Sequence, residues 1–131
     1  MNGYKILVVD DEADVVRMLQ VVLERRGHAV LTAPTGLEGL VTAQGERPDL
    51  ILLDVMMEGM DGWEVLKLLK LEPGTHDIPV VMLSARTAAR DKIRGLQEGA
   101  VDYVTKPFSV RELVHTIEAI LEPAAGEGGS G

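Results

Sequence analysis

The sequence lacks cysteine altogether and has only four aromatic side chains, one Trp, two Tyr and one Phe. The absence of cysteine excludes a disulfide framework, a cysteine nucleophile and a thiolate metal site, and it suits a reducing compartment. With so few rings, the core has to be aliphatic. No apolar run approaches the ~18 residues of a membrane-spanning helix, and residues 1–5 lack the basic patch and apolar stretch of a signal peptide. We therefore expect a cytoplasmic protein.

Positive charge is also scarce, since 13 Lys and Arg face 21 Asp and Glu and leave a net charge of −8. This balance argues against general electrostatic binding to nucleic acid or to an anionic membrane. The length of 131 residues fits one domain, and 46% hydrophobic with 26% charged residues is a globular composition. Such a chain buries enough surface to fold without a structural metal.

Five short apolar segments divide the chain. Three of them, residues 6–9, 50–53 and 80–83, are continuous runs of Ile, Leu, Val and Met. This pattern is typical of strands buried on both faces of a parallel sheet. Two weaker segments, residues 28–32 and 101–105, are expected to form the edge strands.

Helical patterns with apolar residues every three or four positions follow each of these segments. A Ser, Thr or Asp followed three positions later by Glu predicts helix starts at Thr35, Asp61 and Ser109. Helix ends are expected at three glycines, which are Gly27, Gly45 and Gly99.

The order strand–helix, repeated five times, predicts an α/β fold with a doubly wound parallel sheet and helices on both faces. We expect the flavodoxin-like (βα)5 arrangement, with five strands in the order 2-1-3-4-5. Residues 4–122 are assigned to this domain. Residues 123–131 are small and Gly-rich, and we expect a flexible tail that is either the start of a linker or a remnant of cloning.

Polar residues follow the strands at the edge where sheets of this kind bind ligands. They are Asp10 and Asp11 after the first strand, Asp54 after the third, Ser84 after the fourth and Lys106 after the fifth. Because the first, third and fourth strands are expected to be neighbours, these side chains should converge. Carboxylates so close together disfavour joint ionisation, so a cation has to offset them.

A hard divalent cation suits this set, because oxygen ligands without histidine or thiolate favour Mg²⁺ or Mn²⁺ over Zn²⁺. A carboxylate beside Mg²⁺, with a lysine and a hydroxyl to hold phosphoryl oxygens, is equipped to accept a phosphoryl group. Taken singly, each acid or Ser84 is also explained as a helix cap, and Lys106 as a solvated cation. The coincidence of all five at strand ends favours a site.

The chain resembles the CheY-like receiver domains of two-component response regulators. The motifs that carry the resemblance, in order, are ILVVDDE (6–12), PDLILLD (48–54), GMDG (59–62), PVVMLSA (79–85) and GAVDYVTKPF (99–108). The resemblance implies a phosphorylation-controlled signalling switch whose partner is a sensor histidine kinase or a phosphotransfer protein. It also implies that phosphorylation changes the output face formed by the fourth helix, fifth strand and fifth helix. Such a domain catalyses its own phosphorylation and dephosphorylation but turns over no metabolite.

The resemblance also implies roles for individual residues. Asp54 matches the phosphoacceptor. Asp11 and Asp54, with the backbone carbonyl of Met56, match the direct metal ligands, and Asp10 matches the acid that reaches the metal through water. The expected metal is Mg²⁺, with Mn²⁺ as an alternative.

Three further positions match the phosphoryl-binding and switching parts of the family. Ser84 matches the hydroxyl that bonds the phosphoryl group. Lys106 matches the ion-pairing lysine, and its bond to Pro107 matches a cis peptide. Tyr103 matches the aromatic switch position that is coupled to Ser84.

Two positions depart from the family pattern. Glu58 stands where the family often has proline, and it adds negative charge near the acidic pocket. Thr116 stands where receivers joined to winged-helix DNA-binding domains often have arginine, which weakens the case for a salt-bridged dimer. We expect a monomer or a weak phosphorylation-dependent dimer, with no direct contact to nucleic acid or membrane.

Other functions stay open at this point. The domain can be a module of a larger hybrid kinase or transcription regulator. A Mg²⁺ phosphohydrolase with an aspartyl-phosphate intermediate would resemble haloacid dehalogenases, but those have Asp where this chain has Glu12, and a lid domain. An interaction module without phosphorylation would not need the polar set, and an FMN carrier would need a Ser/Thr/Gly-rich loop after the first strand.

The remaining notable side chains are expected to be structural. Trp63 should pack at a helix start. The three histidines have no partners at metal-ligand spacing and should lie on the surface or at a sheet edge; they are His28, His76 and His115. A basic run is expected to form a solvated helix face; it comprises Arg86, Arg90, Lys92 and Arg94.

Overall fold

The computed structural model describes residues 3–85 and 89–122, in which five strands and five helices alternate. The strands are β1 (Lys5–Val9), β2 (Ala29–Ala33), β3 (Leu50–Asp54), β4 (Val80–Ser84) and β5 (Asp102–Thr105). The helices are α1 (Ala13–Arg25), α2 (Gly36–Glu46), α3 (Gly62–Leu71), α4 (Ala89–Gln97) and α5 (Val110–Leu121). All neighbouring strands are parallel, in the order β2-β1-β3-β4-β5. The predicted fold and strand order are confirmed. The tail, residues 123–131, lies outside the described residues.

Two apolar cores cover the two faces of the sheet, because successive strand residues point to opposite sides. Ile6 and Val8 of β1 pack on one side with residues of α1 and α5. Leu7 and Val9 pack on the other side with residues of α2 and α3. Every residue of β3 and β4 is buried, which explains their unbroken apolar sequences.

The predicted helix starts are confirmed by side-chain caps. Thr35, Asp61 and Ser109 each accept a hydrogen bond from the backbone N–H three residues later. Gly27 and Gly99 follow helices in the left-handed region, with φ of 92° and 109°. The expected end at Gly45 is wrong.

Helix α2 continues through Gly45 to Glu46, because the next residue, Arg47, takes up the left-handed conformation with φ of 46°. The N–H of Arg47 donates to the carbonyl of Ala43 and so completes the last turn. A glycine is therefore not required at this helix end. Within the described residues, no helix combines the length and apolar character needed to cross a membrane.

His28 is buried at the start of the edge strand β2, which corrects the expectation of a surface position. Its Nδ1 accepts a hydrogen bond from the N–H of Tyr4 at 3.2 Å, and its Nε2 lies 3.0 Å from Oε2 of Glu118 in α5. Burial is tolerated because both ring nitrogens have partners. His76 and His115 are exposed, as expected, and Trp63 is buried at the start of α3.

Candidate functional site

Two buried carboxylates lie side by side at the carboxyl edge of the sheet. Val9 of β1 pairs with Leu53 of β3, so the residues that follow them, Asp10 and Asp54, are neighbours across the two strands. Only 1% of Asp10 and 3% of Asp54 is exposed to solvent. The central strands of the fold thus bring together two acids that are 44 positions apart in the sequence.

Lys106 joins these acids from the loop after β5. Its Nζ lies 2.9 Å from Oδ2 of Asp10 and 3.6 Å from Oδ2 of Asp54. A third carboxylate, that of Glu12, approaches the same Nζ to 2.6 Å. The peptide bond from Lys106 to Pro107 is cis, as predicted.

The backbone holds the other oxygen of each buried acid. Oδ1 of Asp10 accepts a hydrogen bond from the N–H of Glu12 at 2.9 Å. Oδ1 of Asp54 accepts one from the N–H of Met56 at 3.2 Å. Each carboxylate is therefore fixed at one oxygen and turned towards the lysine with the other.

This environment shifts the pKa of the Asp54 carboxyl and that of the Lys106 ammonium. Burial, followed by the charge of Asp10, raises the pKa of the Asp54 carboxyl to about 7, although Lys106 acts in the opposite direction. Burial by itself would lower the pKa of the Lys106 ammonium, but its hydrogen bonds to Glu12 and Asp10, together with the charges of Asp10 and Asp54, raise that pKa. Lys106 is charged at neutral pH and is insufficient to keep Asp54 fully ionised, so the site favours a further cation.

The acidic cluster has the chemistry of a site for a hard metal ion. One carboxylate oxygen from each of Asp10, Glu12 and Asp54 lies within 4.8 Å of the others. Oxygen donors of this kind suit Mg²⁺. Asp11, one of the predicted direct ligands, lies outside this group: its side chain is exposed and lines an adjoining cavity of about 610 Å³ together with Met56 and Glu58.

Glu12 is the site residue that the sequence reasoning did not single out. It belongs to the Asp-Asp-Glu run after β1, and its position two residues after Asp10 is the one signal that the sequence offered. The contact with Lys106 spans 94 positions of the chain, so local patterns do not reveal it.

Ser84 and Tyr103 occupy neighbouring strands below the acidic cluster. Ser84 ends β4, is fully buried and pairs with Thr105 of β5. The backbone carbonyl of Ser84 accepts a hydrogen bond from the N–H of Lys106 at 2.7 Å. Tyr103 is 5% exposed and stacks against Trp63, with ring centroids 6.4 Å apart. The sheet therefore connects the lysine and the predicted switch tyrosine through β4 and β5.

Gly62 allows α3 to begin directly against the end of β3. A Cβ atom at this position would lie 2.3 Å from the backbone oxygen of Asp54. The N–H of Gly62 donates to the carbonyl of Val55 at 3.0 Å and closes the loop between them. The loop that carries Met56 and Glu58 is thereby held beside the acidic cluster.

The predicted basic face is only partly described. Arg86 and the side chain of Arg90 lie outside the described residues. Lys92 is exposed, as expected for a solvated face. Arg94 pairs with Glu98 at 2.8 Å and also covers the Trp63 ring, so it has a packing role as well.

Known proteins resemble this chain in sequence and in fold. A family model described as "Response regulator receiver domain" matches residues 6–118. The alkaline phosphatase synthesis transcriptional regulatory protein PhoP of Bacillus subtilis is 50% identical over 117 residues, which are 89% of this chain and 48% of PhoP. The phosphate regulon transcriptional regulatory protein PhoB of Pseudomonas aeruginosa is 46% identical over 121 residues, which are 92% of this chain and 53% of PhoB. The chain thus spans about half the length of these relatives.

Solved structures give the same result. The receiver domain of Francisella response regulator 1452 superposes with a TM-score of 0.87 at 33% identity, covering 92% of this chain and 98% of that one. The chemotaxis protein CheY4 of Vibrio cholerae superposes with a TM-score of 0.85 at 34% identity, covering 91% and 99%. With the family match extending over most of the chain, the protein belongs to the response regulator receiver domains of two-component systems.

Proposed function

We propose that this receiver domain is a switch that accepts a phosphoryl group on Asp54 from a histidine kinase or a phosphotransfer protein. The observation that carries the proposal is the position of the Asp54 carboxylate. It is buried, fixed at Oδ1 by the N–H of Met56 and directed with Oδ2 at the Lys106 ammonium. A carboxylate nucleophile placed beside a fixed cation is suited to phosphoryl transfer, which depends on positioning and on charge stabilisation.

In the proposed reaction, an Asp54 carboxylate oxygen bonds to the phosphorus of a phosphohistidine while the bond from phosphorus to the imidazole nitrogen breaks. The imidazole leaves as a neutral ring after it takes up a proton. Lys106 donates to the phosphoryl oxygens and offsets their charge, and the Ser84 hydroxyl donates to one of them. Water later attacks the phosphorus, the bond to the Asp54 oxygen breaks, and inorganic phosphate leaves, so that the domain also dephosphorylates itself.

We propose Mg²⁺ as the metal, with Mn²⁺ able to replace it. The residues that would hold it are Asp11 and Asp54, with the carbonyl of Met56, and Asp10 through a water molecule. The acidic cluster and the exposed Asp11 beside Met56 support this assignment. When bound, such an ion supplies positive charge to the phosphoryl oxygens.

We propose the face formed by α4, β5 and α5 as the output surface. Ile93 and Leu96 of α4 and Val101 before β5 expose large apolar side chains there. Tyr103 connects this face to the site through β5. PhoP and PhoB are named as transcriptional regulators, so a regulator of transcription is one setting in which such a surface acts, and the cytoplasm is the proposed location.

The test is phosphorylation by a small donor. The protein is incubated with acetyl phosphate and Mg²⁺, and intact-mass spectrometry counts base-labile phosphoryl groups. We expect one group on the wild type and on the control variant Asp77→Asn, whose acid is exposed and far from the site. We expect none on Asp54→Asn. Equal labelling of Asp54→Asn and wild type would contradict the assignment.

A further inference from the structure

We infer that Glu12 is a positioning residue that restrains Lys106 and must release it when Asp54 becomes phosphorylated. The inference deepens the proposed function and rests on it. Glu12 is the nearest anionic partner of the Lys106 ammonium, at 2.6 Å, compared with 2.9 Å for Asp10 and 3.6 Å for Asp54. In the unphosphorylated protein, the lysine is therefore drawn towards Glu12 and Asp10.

The three carboxylates around Lys106 differ in their freedom to move. Asp10 and Asp54 are each held at Oδ1 by a backbone N–H, and their side chains are 0% and 4% exposed. The Glu12 side chain is 57% exposed and contacts the cluster from its solvent side. Only Glu12, among these three acids, can swing into water without leaving a buried charge unpaired.

The local backbone supports the same conclusion. Glu12 is the N-cap residue of α1, a position at which Asp, Asn, Ser or Thr ordinarily accepts a hydrogen bond from the first turn. Its side chain makes no such cap hydrogen bond. The carboxylate is instead engaged with Lys106, so the role of Glu12 is directed towards the site and not towards its own helix.

Release of Glu12 links occupancy of Asp54 to the position of Lys106. A phosphoryl group on Asp54 brings new anionic oxygens near the ammonium, which compete with Glu12 for it. The Glu12 carboxylate also faces these like charges and is repelled by them. Glu12 therefore opposes the phosphorylated state and favours the unphosphorylated one.

The test measures beryllofluoride binding, a mimic of the phosphoryl group, at saturating Mg²⁺. We expect Glu12→Gln to bind it about two- to fivefold more tightly than wild type, the range set by a partly exposed ion pair. Glu12→Asp, which keeps the charge on a shorter side chain, should lie between the two. The control is Asp14→Asn, which removes a nearby acid of α1 that makes no ion pair with Lys106 in the described part of the chain, and it should bind as wild type does.

Further measurements separate this role of Glu12 from a metal-binding or purely structural one. The tighter beryllofluoride binding of Glu12→Gln should shrink in a Lys106→Met background, because competition for the lysine is then removed and only the direct charge repulsion is left. The NMR signal of Lys106 Nζ should shift in unphosphorylated Glu12→Gln and not in Asp14→Asn. The melting temperature of each variant, compared with that of wild type, shows whether the substitution simply destabilises the fold. Equal or weaker beryllofluoride binding by Glu12→Gln would overturn the inference, as would weaker Mg²⁺ binding, which would make Glu12 a metal ligand. If wild type and Asp54→Asn bind beryllofluoride equally, the proposed function itself fails.

Discussion

The guanidinium carbon of Arg94 in α4 lies 4.2 Å from the centroid of the Trp63 ring in α3. Trp63 also stacks with Tyr103 of β5. Gly95 lies against the same tyrosine, since a Cβ there would be 3.2 Å from its Cδ2. The contacts join α3, α4 and β5 around the residue that matches the family's switch position.

Trp63 should therefore report on the switch. We expect beryllofluoride to change its fluorescence, because a shift of Tyr103 or α4 alters the stack, and the chain has no other Trp. Arg94→Leu should reduce this fluorescence response, because it removes the cation–π contact between α4 and the Trp63 ring. Such a contact contributes about 0.5–2 kcal/mol. The control is Lys92→Leu, which changes an exposed cation on the same helix. Unchanged emission at saturating beryllofluoride would contradict the prediction.

Phosphorylation should alter the output face. We expect amide chemical shifts to change across residues 84–115 when a phosphoryl mimic occupies Asp54, because Ser84 is drawn towards the phosphoryl oxygens and Tyr103 responds. The two forms should differ by only a few kcal/mol, so that both are populated. Changes confined to residues 10–12 and 54–60 would exclude this coupling.

Mg²⁺ should raise the melting temperature. An ion that binds only the folded protein stabilises it by about 2.7 kcal/mol at a concentration 100 times its Kd. We expect Asp11→Asn to lose most of this stabilisation. Its stability without metal should stay near that of wild type, because Asp11 is exposed and lies outside the cluster of buried acids. Thermal melts in EDTA and in Mg²⁺ measure both quantities, and equal Mg²⁺ shifts in variant and wild type would remove Asp11 from the ligand set.

The contribution of Asp54 to metal-free stability should fall as the pH rises from about 4 to about 7. The pKa of Asp54 is raised from 3.8 to about 7 on folding, so the folded state keeps a proton that the unfolded state releases in this range. The stability from this group is full below its unfolded pKa and is lost as the pH passes the folded one. Asp54→Asn avoids the loss and should be more stable than wild type at pH 8 by on the order of 2 kcal/mol.

Urea unfolding in EDTA at pH 5 and pH 8 checks this prediction. The advantage of Asp54→Asn over wild type should be larger at pH 8 than at pH 5. Glu72→Gln, which changes an exposed acid that forms no ion pair among the described residues, should show no such trend. An advantage of equal size at both pH values would contradict the raised pKa.

Gly62→Ala should destabilise the protein and impair phosphorylation. The new Cβ would lie 2.3 Å from the Asp54 carbonyl oxygen and 2.7 Å from Cα of Val55. Relief of this overlap has to move the backbone that carries the acceptor, at a cost of about 1–3 kcal/mol. The matched control is Gly45→Ala in α2. A Cβ at position 45 meets no atom within 4 Å, so this variant should raise the free energy of unfolding by about 0.5–1 kcal/mol. A Gly62→Ala variant as stable as wild type would show that the loop adapts freely.

The sequence was sufficient for those parts of the molecule that depend on local pattern. Continuous apolar runs identified the buried strands, and side chains such as Thr35 and Ser109 identified helix starts, because a cap involves residues only three positions apart. The convergence of Asp10, Asp54 and Lys106 followed from the strand order. These predictions needed only the topology and the chemistry of each residue.

Contacts between distant segments were beyond such reasoning. The buried His28 has Glu118 of α5, 90 positions away, as a partner, and nothing near His28 in the sequence indicates this contact. In the sequence, Glu12 looks like any solvent-exposed acid. Its role depends on where the loop after β5 places Lys106. The end of α2 at Arg47 reflects a backbone conformation that glycine usually takes, so the residue type was misleading there.

The location of the acidic cluster also links its function to the order in which the strands of the sheet unfold locally. Asp10 follows β1 and Asp54 ends β3, both in the middle of the sheet, whereas Lys106 follows β5, a four-residue edge strand whose one neighbour among the described strands is β4. Edge elements open at a lower free energy than central ones. Local opening of β5 would withdraw the lysine while both acids stay buried, so the capacity to accept a phosphoryl group is lost before the fold is. The opening equilibrium of β5, which hydrogen exchange measures, would thus set the fraction of molecules competent for the proposed phosphorylation.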